Sequence, residues 1–213
     1  MTETSTQVCD PATRVTKSLL GYGVIAGPFY VAVSLIQALT REGFDLTRHA
    51  WSTLANGGPG WIQVANFVLT GLMIVAGAIG LRRAGAGVWG PRLLTGYGLG
   101  TVGAGIFRAD PQPGFPAGTG DVVVSWHGMV HFAVSGVGFL CLVAACFVLA
   151  RRFVADDLRG WATFSRATGV LFLAGFAAVA TGGSWAILVF TAVILLAWTW
   201  LSSISRHYYG RTA

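Results

Sequence analysis

The chain reads as an all-α protein, a polytopic membrane protein built as a single bundle of six transmembrane helices. Three observations predict this. Hydrophobic residues make up 54% of the 213 positions and charged residues only 10%, with mean hydropathy +0.66, whereas a soluble domain carries about 25% charged residues. The apolar residues gather into six runs, each near the roughly 20 residues that a bilayer-crossing helix needs. The net charge of +6 comes from basic residues scattered at the ends of those runs. Such scatter is a topology signal, not the continuous patch of a nucleic-acid binder.

The first run covers residues 18–39, the second 61–81 and the third 93–107. The fourth covers 122–150, the fifth 161–181 and the sixth 185–204, so one transmembrane domain occupies 18–204. A polar, Thr-rich tail of residues 1–17 precedes it, and a short tail of residues 205–213 follows. The leading tail lacks the layout of a cleavable signal peptide, and no apolar run stands ahead of Cys9, so the first run is expected to remain as an anchor. Cys141 and Cys146 share one helix. Five residues turn a helix through about 500°, so their thiols diverge and the three cysteines build no disulfide framework.

The third run is short and carries Gly96, Gly98, Gly100, Gly103 and Gly105. Three of these match G-x-G-x-x-G, but no strand precedes them, which removes a dinucleotide site. Gly96 and Gly100 fit small-xxx-small helix packing, with Gly128, Ser135, Gly136 and Gly138 as small positions on the fourth run. The same glycines could equally line a cavity for a flat or chain-like ligand. The fifth and sixth runs hold Trp161, Trp185, Trp198 and Trp200 and no charge at mid-length, and read as scaffold. The two halves show no internal repeat, so an inverted-repeat transporter finds no support.

Eleven of the 14 Lys and Arg residues fall at one set of run ends, and Arg41, Arg48 and Arg108 fall at the other. The positive-inside rule then predicts a multi-pass protein of the cell (plasma) membrane with both termini cytoplasmic. The loops after the first and third runs face outwards.

Polar chemistry collects in the stretch FRADPQPGFPAGTGDVVVSWHGMVH. Arg108 and Asp110 lead into its loop, and His127 and His131 lie four residues apart, on one helix face. With a helix beginning at residue 122, His127 sits about 8 Å and His131 about 14 Å along it, where polar side chains normally face a bundle interior. One reading is structural, an imidazole bonded to a backbone carbonyl or to a serine such as Ser34. A second reading is a metal site. His127, His131 and Asp110, with His49 as a substitute, supply ligand types for zinc or another transition metal, whose open position would activate a water. A third is metal-free, with Ser52 as nucleophile, His49 or His127 as base and Asp110 as orienter. Haem is less favoured than these, because an i, i+4 pair cannot supply ligands to both faces of the ring.

The loop TREGFDLTRHAWSTLANGGPG adds a predicted short helix, capped by Asp45 and stopped at Gly57 and Gly58. Its residues Asp45, Arg48, His49 and Ser52 share a polar face, while Phe44, Trp51 and Leu54 share an apolar one. That is the pattern of a helix lying in the membrane interface. Residues 45–52 would then roof a cavity holding Asp110, His127 and His131, with Arg48, His49 and Arg108 as substrate-holding groups.

The segments DLTRHAWSTLANGGPGWIQVANFVLTGLMIVAGAIGLRR, GAGIFRADP and SWHGMVHF resemble the membrane family catalogued as domain-of-unknown-function family 998. The matching positions are Ser52, Pro59, Asn66, Gly71, Asp110 and His127, and the resemblance runs from the first helix to the sixth. It implies a six-helix membrane fold and carries no established activity. More distantly, the Ser, Asp and H-x-x-x-H set is similar to the ingredients of the CREST membrane hydrolases, which include alkaline ceramidases. Those have seven helices with the His pair in the last, whereas here the pair is in the fourth of six. Two functional expectations follow. One is a metal-dependent hydrolase of an amphiphilic or lipid substrate. The other is a non-catalytic membrane protein that binds a lipid or small molecule, or serves as an accessory subunit. Membrane lipid and an amphiphilic small molecule are the expected partners, and nucleic acid is not.

Overall fold

The six apolar runs become six helices in the computed structural model, which describes residues 10–183 and 185–212. They are α1 (Pro11–Thr40), α2 (Gly60–Arg83), α3 (Trp89–Ile106), α4 (Trp126–Ala155), α5 (Arg159–Val179) and α6 (Ala186–Arg211). A short 3-10 helix, Trp51–Ala55, lies between α1 and α2. Among the described residues there is no strand, only an isolated bridge between Gln112 and Phe115. The first nine residues, with Cys9, lie outside the described residues, as does Ala213.

Five of the helices, all but α3, are long and apolar enough to cross a membrane. Large apolar side chains such as Ile36, Leu39, Leu72, Val137 and Leu140 stand exposed on their outer faces. A soluble monomer does not present so much contiguous apolar surface, whereas lipid covers it at no cost. The protein is a polytopic membrane helical bundle. α3 has 18 residues, about 27 Å of helix, and packs between α2 and α4.

Sequence explains where the helices begin and end. Pro11 occupies the first turn of α1, where its missing N–H and fixed φ cost nothing, so the helix starts well before the apolar run. Arg82 and Arg83 close α2, placing positive charge at the negative end of the helix dipole. Ser125 caps α4 by accepting the Gly128 N–H at 3.0 Å. This cap corrects the expected start at residue 122. Val123 stays 87% exposed, in the loop, and helix begins only at Trp126.

Each helix packs against its neighbours in sequence, and α6 closes back on α1. The bundle is therefore a ring of six. Glycines let its walls approach. A Cβ on Gly98 would lie 2.8 Å from the Gly71 carbonyl oxygen, and one on Gly100 would lie 2.8 Å from the Gly138 Cα. The α2–α3 and α3–α4 contacts thus run backbone to backbone, the small-residue packing of membrane helices. The centre of the ring is aromatic. Trp198 of α6 reaches across to Tyr30 of α1 and Tyr97 of α3, with ring centroids 5.3 and 5.9 Å away.

One end of the ring carries only short connections and most of the basic residues. The other carries the two long loops, residues 41–59 and 107–125, and is termed here the looped end.

Candidate functional site

Inside the ring, towards the looped end, lies a cavity of about 140 Å³. Every one of the six helices contributes to its lining, and so do Trp51 and Ser52 of the 3-10 helix and Gln112 of the second long loop. The lining includes Tyr30, Phe67, Tyr97, Phe139, Phe190 and Trp198 and contains no Asp, Glu, Lys or Arg. Engineered apolar cavities of about 150 Å³ hold a benzene-sized guest, so the space is large enough for a small apolar ring or a stretch of hydrocarbon chain. Phe132 lines it and is also 61% exposed on α4. The Phe132 side chain thus stands between the cavity and the lipid-facing side of the bundle.

The two long loops build its roof by holding one another. His49, only 3% exposed, joins them. Its Nδ1 accepts the Asp45 N–H at 2.9 Å, and its Nε2 lies 3.1 Å from the Pro113 carbonyl oxygen and donates to it. The Ala50 N–H donates to Gln112 Oε1 at 2.8 Å, and Asn56 Nδ2 donates to the Ala109 carbonyl at 3.0 Å. Phe115, buried beneath, meets Phe44 edge-on with centroids 5.0 Å apart. The Arg41 guanidinium stands 4.7 Å over the Phe115 ring and donates to the Leu54 and Asn56 carbonyls. These contacts make the roof a packed cap. The expected interfacial helix over residues 45–52 is instead a turn followed by the 3-10 helix. His49 sits between the loops, with both ring nitrogens occupied, and has no free nitrogen to act as a base for Ser52.

Asp110 is a second clamp. Its carboxylate accepts the Ser125 N–H at 3.0 Å and the Ser125 hydroxyl at 2.5 Å. It lies so close over α4 that a Cβ on Gly128 would collide with it. A carboxylate at a helix N-terminus is favoured by the helix dipole as well. His127 sits in the first turn of α4, exposed, with its ring 3.7 Å from the Trp126 ring and 6.1 Å from Phe107. The late start of α4 is the reason. Without the four extra residues His127 remains at the mouth, and only His131 is carried inside.

His131 is buried and lines the cavity. Its Nδ1 lies 2.8 Å from the Phe107 carbonyl and 3.1 Å from the Ala104 carbonyl. Carbonyls only accept, so Nδ1 carries the proton and Nε2 is left as an acceptor. The imidazole ties the C-terminal turn of α3 to α4. Of the predicted site residues, Ser52 and His131 line the cavity, while Arg48, His49, Arg108, Asp110 and His127 do not. Arg48 and Arg108 are exposed at the looped end. Asp110, His127 and His131 make no metal-binding group, and among the described residues no set of three His, Cys, Asp or Glu side chains could hold a metal ion. Asp110 is bonded to Ser125, His127 lies exposed against Trp126 at the mouth, and His131 is buried in the cavity, so the three do not gather at one point.

Next to the cavity lies a polar cluster that the sequence reading missed. Tyr30, Ser34 and Gln37 of α1 face Gln63, Asn66 and Thr70 of α2, and all six are buried. Gln63 Oε1 accepts from Gln37 Nε2 at 2.8 Å and from Ser34 Oγ at 3.3 Å. Asn66 Nδ2 donates to Ser34 Oγ and to the Tyr30 carbonyl, both at 3.1 Å, and Thr70 donates to Asn66 Oδ1 at 3.3 Å. The signal was present. Positions 30, 34 and 37, and 63, 66 and 70, each follow the spacing of one helix face.

Fold and cavity together define a polytopic α-helical membrane protein enclosing a small, uncharged, aromatic chamber. Residues 24–207 match the family described as Protein of unknown function (DUF998), and the chain belongs to that family. No curated protein and no solved structure matches it.

Proposed function

We propose that this protein binds a neutral apolar molecule taken from the surrounding bilayer and holds it in the central cavity without cleaving it. The observation that carries the reading is the lining: aromatic, free of charged side chains, and bounded at Phe132 by a side chain that is also exposed on the outer face of α4. Such a site rewards burial of apolar surface and penalises charge. The hydrolase alternative has less support. Of the site residues expected from the sequence only Ser52 and His131 line the cavity, while the Asp110 carboxylate is engaged by Ser125 and His127 is exposed at the mouth. The eleven-to-three distribution of basic residues supports a plasma-membrane location, with both termini cytoplasmic and the looped end outside.

Thermal unfolding in detergent tests the reading. A ligand at one hundred times its Kd stabilises the folded state by about 2.7 kcal/mol. Benzene-sized apolar compounds should therefore raise the melting midpoint of the wild type and leave unmoved a Ser135→Phe variant, whose new ring fills the cavity. Equal shifts in both proteins, or none in either, would refute ligand binding in this chamber.

A further inference from the structure

The basic end of the ring carries an open cleft, far from the looped end and its cavity. It lies between the start of α5 and the end of α6, lined by Trp161 of α5 and by Arg206, His207, Tyr209 and Arg211 of α6. No Asp or Glu is among its lining residues. Lys17 of α1 adds a third cation, its Nζ 6.0 Å from the centre of the Tyr209 ring. The acids of the neighbouring α4–α5 turn are engaged elsewhere: Asp156 pairs with Arg152 at 3.1 Å and Asp157 with Arg159 at 3.4 Å. Arg211 Nη1 donates to His207 Nε2 at 3.4 Å. Arginine only donates, so this nitrogen is an unprotonated acceptor, and the contact holds the guanidinium without cancelling its charge. Arg206 is exposed and has neither hydrogen bond nor ion pair among the described residues. The cleft is left with an uncompensated positive charge.

Depth decides which anion fits. α6 begins at Ala186, and at 1.5 Å per residue Arg206 lies about 30 Å along it, one hydrocarbon thickness away. The cleft therefore sits at headgroup level, the boundary that Trp and Tyr rings such as Trp161 and Tyr209 favour. From there towards the looped end, Thr199, Leu195, Ala192 and Leu188 are exposed on α6. Steps of three, four and seven residues return to one side of a helix, so these four lie in line with Arg206. A cation at headgroup level, standing at the end of an apolar stripe, matches a molecule with an anionic head and a hydrocarbon tail.

We propose that this cleft binds an anionic phospholipid, its phosphate held by Arg206 and Arg211 and an acyl chain laid along that stripe of α6. Basic pockets between transmembrane helices take lipid phosphates by this chemistry. The site is separate from the central chamber and independent of what the chamber holds.

Native mass spectrometry of the full chain in neutral detergent tests this, with dioleoyl phosphatidylglycerol and dioleoyl phosphatidylcholine titrated separately. The two lipids share their tails and differ in net charge. A basic side chain at the membrane surface contributes about fivefold in affinity for an anionic lipid, so the wild type should prefer phosphatidylglycerol by about tenfold or more. Arg206→Gln and Arg211→Gln should each lower that preference by about fivefold. Both residues are exposed, so neither substitution threatens the fold. Arg48→Gln makes the same charge change at the looped end and should leave the preference intact. Ammonium phosphate in molar excess should not displace the lipid, because the tail contributes to binding. Equal affinity for the two lipids, a preference that survives both arginine substitutions, or an equal loss in Arg48→Gln would overturn the lipid site. Displacement by ammonium phosphate would assign the cleft to free phosphate and overturn it as well.

Discussion

Asp110 occupies the position where sequence suggests a catalytic carboxylate, yet its contacts are those of a clamp, and Gly128→Ala tests this sharply. An added Cβ would fall within the Asp110 carboxylate, so the carboxylate must leave. Leaving forfeits its bonds to the Ser125 N–H and hydroxyl. Hydrogen bonds to a charged group contribute about 1.5–3 kcal/mol each when well buried. Asp110 is half-buried, so a combined loss of about 2–3 kcal/mol is expected. Asp110→Ala removes the same two bonds and should cost a similar amount. The double variant should then cost no more than Asp110→Ala alone, because the new methyl group has nothing left to strike. An alanine is also about 0.5–1 kcal/mol better than glycine inside a helix. The cycle is read by unfolding in mixed micelles, followed by circular dichroism. A coupling near 2 kcal/mol supports the clamp. Additive losses, or a neutral Gly128→Ala, would refute it.

Three further outcomes follow from the same contacts. Gln63→Leu leaves Ser34, Gln37 and Asn66 short of partners, and at about 0.6 kcal/mol per intramembrane hydrogen bond the bundle should lose about 2 kcal/mol in mixed-micelle unfolding; an unchanged midpoint would contradict a cohesive network. The Thr47 hydroxyl, and then the Thr47 N–H, hold the Asp45 carboxyl below its ordinary value. The folded value is the depressed one, so this contribution is complete above the unfolded value of about 3.9 and disappears as pH falls through the folded value. Carboxyl NMR titration should show Thr47→Ala moving Asp45 upwards, and no movement would remove the assigned cause. In a cysteine-free background, Ala117→Cys should react with a membrane-impermeant maleimide on intact cells, and Val88→Cys only after permeabilisation; the reverse pattern would invert the topology.

The fold was legible in the sequence because lipid demands that every backbone polar group be satisfied internally, and six apolar runs of helix-spanning length leave few alternatives. Helix ends were less so. Val122, Val123 and Val124 extend the fourth run in composition, but apolar character does not say where hydrogen bonding starts. The Ser125 cap and its Asp110 partner decide that, and they displace His127 to the mouth. The setting of His49 was not legible for a different reason. Its sequence neighbours place it on a polar face with Asp45, Arg48 and Ser52, but the carbonyl that receives its Nε2–H belongs to Pro113, 64 residues away, beyond any local pattern. The cavity is assembled from all six helices and two loops, so no single segment announces it. The paired polar faces of α1 and α2 could have been found, since each repeats at helical spacing.

The most direct measurement is mass spectrometry of an organic extract from the purified wild type, Ser135→Phe and His127→Ala proteins, prepared side by side. A chamber that binds a neutral apolar molecule predicts one copurifying species, near one per chain in the wild type and in His127→Ala, and absent from Ser135→Phe. Loss of that species in His127→Ala with retention in Ser135→Phe would place the site at the mouth and contradict the account.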